Sequence, residues 1–446
     1  MKLASRIIAA FVLIAAVAIS WIVVLTSPSD EVLQNRLYEQ ARAYTDDGIF
    51  ILAVPILEEA IGFDTDYTPL LEEKLKEIYL RLIDQGNFTR RYLNLLDIQM
   101  NREDATEEVF LEAAIFLLDI GRRSTALDVM RDGIGRTGGS EIANLYEENR
   151  YRFRLAGRGF DEVMAIHGEV AVAGMLLGGG ERLGFIGFRE YDLWGFARSN
   201  GEVQIPAQFD QISTFSAGRA IVKQNGEIFA IDMAGNRVAL LRDERVTDFG
   251  NFANNRVTLL VDGEWRRATG AFDIGVASFE DIGMFSGGWV AAKRNGQWGV
   301  VDLGDEWLIP PNYDGIIMDS IGRSYGQGAV FVMQGGRVYL YVHGSRVGDA
   351  FDDAMPFSEE NFAAVKRGGL WGFINTAGEV VIDFQFEEAL SFGQHLAAVR
   401  VGYYWGFINL FGDIVHEPLF LDAGSFANGS APVLTERGWQ FLTLLD

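Results

Sequence analysis

The sequence predicts a multidomain α plus all-β chain: an N-terminal transmembrane helix, then α-helical hairpins, then a tandem β-repeat array. Three observations carry that expectation. Ile7 to Leu25 is a run of 19 residues without a charge. Gly48, Gly86 and Gly121 separate helix-length segments at intervals of 38 and 35 residues. From Trp194 onward one short pattern returns eight times, anchored at Trp194, Ile228, Trp265, Trp298, Val338, Trp371, Trp405 and Trp439, with a mean spacing of 35. The expected organisation is a cytoplasmic N-terminus and signal-anchor over 1–29, a helical domain over 30–158 and a β-repeat domain over 159–446.

About 20 apolar residues cross a bilayer core, and Lys2 and Arg6 on the N-terminal side of the run would hold that end in the cytoplasm. The remainder of the chain is then expected outside the cell membrane. A cleaved signal peptide, with Ala18-Ile19-Ser20 as its small-residue site, is the competing reading. The apolar run continues through Trp21 to Leu25, which favours an uncleaved anchor. The chain has no cysteine, which excludes a lipoprotein, disulfides, thiolate catalysis and cysteine-ligated metals.

Between residues 30 and about 156 the apolar residues fall at helical spacing, as in Ala53, Leu57, Ala60 and Ile61 or Ala113, Phe116, Leu117 and Ile120. Around Gly48 lie Ala41, Tyr44, Ala53, Leu57 and Ala60, and around Gly121 lie Ala114, Leu117, Ala126 and Met130. These residues resemble tetratricopeptide-type hairpins, with the middle hairpin departing at Arg91, where a small residue is expected. The resemblance implies a concave groove for a peptide; a helical spacer is the plainer alternative. Ser140 to Leu155 reads as a capping helix, and Gly157-Arg158-Gly159 as the domain boundary.

The repeats have a second marker, an aromatic or large apolar residue followed six positions later by Phe. It appears as Phe209/Phe215, Val246/Phe252, Phe279/Phe285, Phe351/Phe357, Phe386/Phe392 and Phe420/Phe426, and the unit after Trp298 breaks it with Tyr313 and Asp319. Each unit reads as three short strands: the anchor segment (Trp371 to Asn375), a second apolar run (Val380 to Ile382) after a Gly378 turn, and a third strand such as Leu396 to Val401. Alternation in the third strand suggests one buried face. The anchor indole is expected in the core, because Ile228 and Val338 fill the same position. The glycine beside it is expected to let a neighbouring backbone approach.

Trp194-Gly195-Phe196, Trp298-Gly299-Val300-Val301-Asp302, Trp371-Gly372-Phe373-Ile374-Asn375 and Trp405-Gly406-Phe407-Ile408-Asn409, with the basic residues Lys223, Lys293, Lys366 and Arg400, resemble the WG-repeat (KWG-repeat) proteins of bacteria. Ile228, Trp265-Arg266 and Val338 depart from the signature. The resemblance implies a repeat scaffold that binds partners, without a general catalytic motif.

Thirty-five residues per unit suit a closed β-propeller or an open β-solenoid. A lone third-strand copy, Glu169 to Leu176, and a lone anchor strand, Trp439 to Leu445, would together complete one blade and close a ring. Leu183-Gly184-Phe185-Ile186 reads as an insertion that adds a strand.

The net charge of −24 argues against nucleic acid and anionic lipid as partners. His167, His343, His395 and His416 lack metal-ligand spacing, and Gly178-Gly179-Gly180 lacks the Lys-Ser/Thr of a phosphate loop. Acidic pairs such as Asp46-Asp47, Glu72-Glu73 and Asp352-Asp353 are candidates for an acid and base only if the fold holds two carboxylates about 5–9.5 Å apart. Trp289, Trp307, Tyr325, Tyr403 and Tyr404 lie off the repeat pattern and would form a binding patch if exposed together. No catalytic, cofactor-binding or metal-binding residue is assigned, and no cofactor is expected. These readings lead to a membrane-anchored, extracytoplasmic interaction or scaffold protein, not an enzyme, whose partner is a protein or cell-envelope component. The alternative is a cell-surface glycan-binding protein or glycan hydrolase.

Overall fold

A computed structural model describes residues 29–164 and 185–445, apart from positions 64, 84, 86–87, 217, 254, 286–287, 321, 327 and 428. The chain divides into two compact units, the first ending at Glu148 and the second beginning at Asn149.

The first unit contains seven helices among the described residues: α1 (Asp30–Asp46), α2 (Phe50–Ile61), α3 (Thr68–Arg81), α4 (Phe88–Met100), α5 (Glu107–Asp119), α6 (Arg123–Thr137) and α7 (Ser140–Asn149). Successive helices from α1 to α6 pack against one another. Gly48 and Gly121 adopt φ of 74° and 73°, the left-handed conformation that ends one helix and starts its partner. Gly86 lies outside the described residues. Ala41, Ala53, Leu57, Ala60, Ala114, Leu117, Ala126 and Met130 are buried, as the helical spacing predicts. Arg91 is accommodated by an ion pair with Glu58, 3.0 Å away, and Glu58 also accepts a 2.6 Å hydrogen bond from the Tyr79 hydroxyl.

Two further polar clusters sit in this unit. Buried Glu72 accepts from Gln99 (3.0 Å) and pairs with Arg102, while Lys76 meets Glu112 at 2.6 Å and Glu112 accepts from the Tyr92 hydroxyl at 2.7 Å. Burial opposes the charge on Lys76, yet its bonds to Glu112 and Glu73 hold it above the ordinary lysine value. Burial first, and then the neighbouring carboxylate, push Tyr79 and Tyr92 well above the ordinary tyrosine value near 10. A raised folded value keeps the proton on in the native state while the unfolded chain releases it. The resulting stability is full below pH about 10 and is lost as pH rises toward the folded values. Alkaline titration followed by far-ultraviolet circular dichroism is expected to show helix loss beginning near pH about 10, and Tyr79→Phe with Tyr92→Phe is expected to flatten that limb.

The second unit is a closed eight-bladed β-propeller, built among the described residues from eight sheets of four main strands. Blades 1 to 7 cover 162–209, 211–240, 246–279, 281–313, 315–351, 353–386 and 388–420. Blade 8 combines 422–445 with Arg152–Phe160 from the other end of the unit. Arg152–Phe160 runs antiparallel to Gly438–Leu445, pairing Arg152 with Leu445, Ala156 with Phe441 and Phe160 with Trp439. The Phe160 ring then lies 4.5 Å from Phe188 of blade 1, fastening the last blade to the first.

Each blade starts with a short first strand and continues through two strands of five to eight residues to a last strand whose outward residues are exposed. In blade 6 the second and third strands pair without a break, Ala363 with Ile374 through Lys366 with Trp371. The last strand then slips, since Trp371 pairs with Phe386 but Phe373 pairs with Ile382. Gly372 alone faces three residues, Asp383 to Gln385, and the bulged strand folds over its bare Cα. A Cβ on Gly372 would meet the Ile382 carbonyl oxygen at 2.7 Å; on Gly195 it would meet Ile205 O at 2.6 Å, and on Gly406 it would meet His416 O at 2.6 Å. The bulge also explains Pro206, Pro310 and Pro418, which have no amide hydrogen to pair. The Asn or Asp that ends the anchor segment closes the next turn: Asn375 Oδ1 accepts from Ala377 N and Glu379 N, both at 3.0 Å. Asp232 repeats this, and the Asn236 side chain holds its carboxyl below the ordinary aspartate value.

Several expectations are corrected. The open-solenoid alternative fails because Arg152–Phe160 completes blade 8. That closing strand is not Glu169 to Leu176, which lies outside the described residues. The helix expected over Ser140–Leu155 stops at Asn149, because Arg152 onward is recruited as a strand. Phe185–Glu190 adds no strand; it is the regular second strand of blade 1. The third strand of each sequence unit is the second strand of a blade and is buried on both faces, with Ala220, Ile221 and Val222 each fully buried, because blades stack face to face around the ring. The transmembrane helix is also corrected: no helix among the described residues is long and apolar enough to cross a membrane, and Ile7–Leu25 itself lies outside them. The membrane-anchored, extracytoplasmic placement drawn from that run has no support in the fold.

Candidate functional site

The row of anchor indoles does not form a stacking surface. Trp371 is 2% exposed and Trp405 is buried, while Trp194, Trp265, Trp298 and Trp439 are half-buried and packed on the apolar clusters of the blades. The six-residue aromatic pairs are likewise core, with Phe252, Phe392 and Phe426 almost fully covered. Where that pattern breaks, buried Asp319 pairs with Arg323 at 2.7 Å and closes a loop whose Gly322 carbonyl accepts from Met284 N of the neighbouring blade.

The acidic pairs close hairpins. At several links between blades the first carboxylate accepts from the tip that joins the second and third strands. Asp352 Oδ2 accepts from Gly368 N at 2.7 Å, Asp314 Oδ2 from Gly335 N at 2.7 Å and Glu280 Oε2 from Gly296 N at 2.8 Å. The second carboxylate accepts from the next backbone N–H or meets the basic residue of the second strand. Asp353 takes the first course with Ala354 N (2.9 Å), and Glu388 takes the second with Arg400 (3.1 Å). These bonds engage Asp314, Glu280 and the Asp352-Asp353 pair in holding the framework. In the helical unit, Glu72 is likewise committed to Gln99 and Arg102, and Asp46 lies 3.7 Å from Arg42. His416 stacks on Phe420 with ring centroids 4.9 Å apart, and His167 lies outside the described residues. Among the described residues no cluster of His, Asp and Glu has the makings of a metal site.

The same bonds bring the hairpin tips and the inter-blade links to one face of the propeller. On that face the tip of blade 1 exposes Tyr191, and blade 7 exposes a group of apolar side chains from its tip and its outgoing link. Tyr403, at its tip, is 88% exposed and Leu419, beside its outgoing link, is 67% exposed; Val401, Tyr404 and Leu421 are exposed as well. Trp405 pairs with Phe420, which sets Tyr404 beside Leu421, and Val401 pairs with Tyr404. Of the aromatics off the repeat pattern, only Tyr403 and Tyr404 join this patch. Trp307 is half-buried, edge-on to Phe279 with centroids 6.3 Å apart, and Trp289 packs on the core between blades 4 and 5. The Tyr325 side chain lies outside the described residues. Leu419 and Leu421 escape a reading of the repeat as core. The usable signal is at Leu421, where the corresponding residues Glu280, Asp314, Asp352 and Glu387 are acidic.

The model of the WG containing repeat matches residues 194–227, 298–336, 350–371, 371–405 and 405–439. The β unit is an array of WG repeats. The stretches between these matches hold Ile228, Trp265-Arg266 and Val338, the anchors that depart from the WG signature. No curated protein matches the chain. Solved structures resemble the WG-repeat propeller remotely. PorZ, a bacterial surface component of the type-IX secretion system of Porphyromonas gingivalis, is 13% identical with a TM-score of 0.34, over 64% of this chain and 42% of that one. Apo AztD from Citrobacter koseri is 12% identical with a TM-score of 0.38, over 56% and 88%. Likeness at this level carries no information about function.

Proposed function

We propose that this WG-repeat protein is a non-catalytic interaction scaffold whose partner docks on the hairpin-tip face of the propeller, at blade 7. The observation that carries the reading is the exposure of Tyr403, Tyr404, Leu419 and Leu421 together at one blade. Contiguous exposed apolar side chains mark interaction sites, and tyrosines supply contact area at low entropic cost. The carboxylates engaged in hairpin closure favour binding over glycan hydrolysis.

Capture from extracts of the producing cell, using the full chain and its Tyr403→Ser/Tyr404→Ser variant, tests this directly. A partner held by the parent is expected to be retained at least ~tenfold less by the variant, with the melting temperature unchanged. Equal retention by both proteins would remove blade 7 as the site.

A further inference from the structure

We infer that the tip of blade 7 takes a basic, amphipathic segment of a partner protein, whose apolar side chains cover Tyr403, Tyr404, Leu419 and Leu421 while its Lys and Arg side chains meet the carboxylates at the two flanking links. This rests on the reading of that face as the interaction surface. The apolar half of the argument comes from comparison within the ring. Val401, Tyr403, Tyr404, Leu419 and Leu421 correspond in blade 6 to Arg367, Gly369, Leu370, Gln385 and Glu387. Four of those five are polar or glycine, so the patch belongs to blade 7 and is not a requirement of the repeat.

The charged half comes from the links. Seven of the eight links entering a first strand carry at least one carboxylate, and the eighth, Leu421, is followed directly by Asp422. Glu387 and Glu388 stand on one side of blade 7, where Glu387 N donates to Arg400 O at 3.1 Å, and Asp422 stands on the other, next to Leu421. Arg400 is already engaged by Glu388 at 3.1 Å. Burial, with a smaller contribution from the Glu388 carboxylate, holds Asp422 above the ordinary aspartate value against the opposing bond from Ala423 N, so carboxylates of adjacent links face one another beside the patch. A second copy of the same face would add like charge to like, and an anionic polymer would do the same. A basic apolar segment satisfies both halves at once, and rim charges of this kind set the association rate and its salt dependence.

The test is fluorescence anisotropy of the full chain with three labelled peptides: one with Lys and Leu at helical spacing, its counterpart with Glu for Lys, and a Lys peptide with Ser for Leu. The first is expected to bind at least ~tenfold more tightly than either of the others, to weaken as salt is raised, and to lose ~tenfold in the Tyr403→Ser/Leu419→Ser variant at unchanged melting temperature. Equal binding of the Glu peptide, no binding of any peptide, indifference to the variant, or self-association that the variant abolishes would each overturn the inference. If the Tyr403→Ser/Tyr404→Ser variant loses its cellular partner while the three peptides bind alike, the surface stands and its basic ligand does not.

Discussion

Replacing Trp371 with alanine is expected to lower the unfolding free energy of the propeller by about 3–5 kcal/mol, the range for emptying a buried aromatic site. The indole is enclosed with Phe373, Phe386 and Phe392, and Lys366 lies over it, its Nζ 5.8 Å from the ring. Nothing in the bulged strand behind Gly372 can move in to fill the space, since that strand is held at Phe386 and Ile382 by the ladder. Chemical denaturation monitored by tryptophan fluorescence measures the loss. Partner capture should not change, because Trp371 is almost wholly covered.

Gly159→Ala is expected to do more, costing above about 4 kcal/mol, a size reserved for changes the backbone cannot absorb. Arg152–Phe160 slips in register between Ala156 and Phe160, and within the slip Gly157 approaches Gly201 while Gly159 lies against the Arg437–Gly438 turn. A Cβ on Gly159 would run into the Arg437 carbonyl, which is backbone and cannot rotate away. The strand must then leave blade 8, exposing the edge of Gly438–Leu445 to pairing with other chains. Thermal unfolding with light scattering should show an earlier transition accompanied by aggregation, whereas Trp371→Ala should unfold earlier without it.

The repeat was legible because its period comes from the core. Trp and Phe recur where blades need filling, Gly recurs where the last strand crosses the third, and Asn or Asp recurs where a turn needs an acceptor. Ring closure was legible only as a possibility, since Arg152–Phe160 is rich in Arg and Gly and follows a helix, so the short alternation Arg152-Phe153-Arg154-Leu155 is a weak strand signal; pairing with Gly438–Leu445 makes it a strand. Burial of a blade's second strand on both faces is hidden in the sequence for a related reason. Ala and Val satisfy an alternating pattern as readily as a continuous one, and blade stacking decides between them. The binding patch was half legible: Tyr403 and Tyr404 stand out from the repeat, but Leu419 and Leu421 look like ordinary strand residues until the inter-blade link turns them outward. The apolar run at Ile7–Leu25 illustrates the opposite limit, where composition alone gave an expectation that no helix among the described residues supports.

The most direct measurement pairs melting temperature with partner capture for two variants of the full chain, Trp371→Ala and Tyr403→Ser/Tyr404→Ser. The first should melt earlier and keep its partner; the second should melt as the parent does and lose it. The reverse pattern, capture lost with Trp371 and stability lost with the tyrosines, would contradict the assignment of the indoles to the core and of blade 7 to binding.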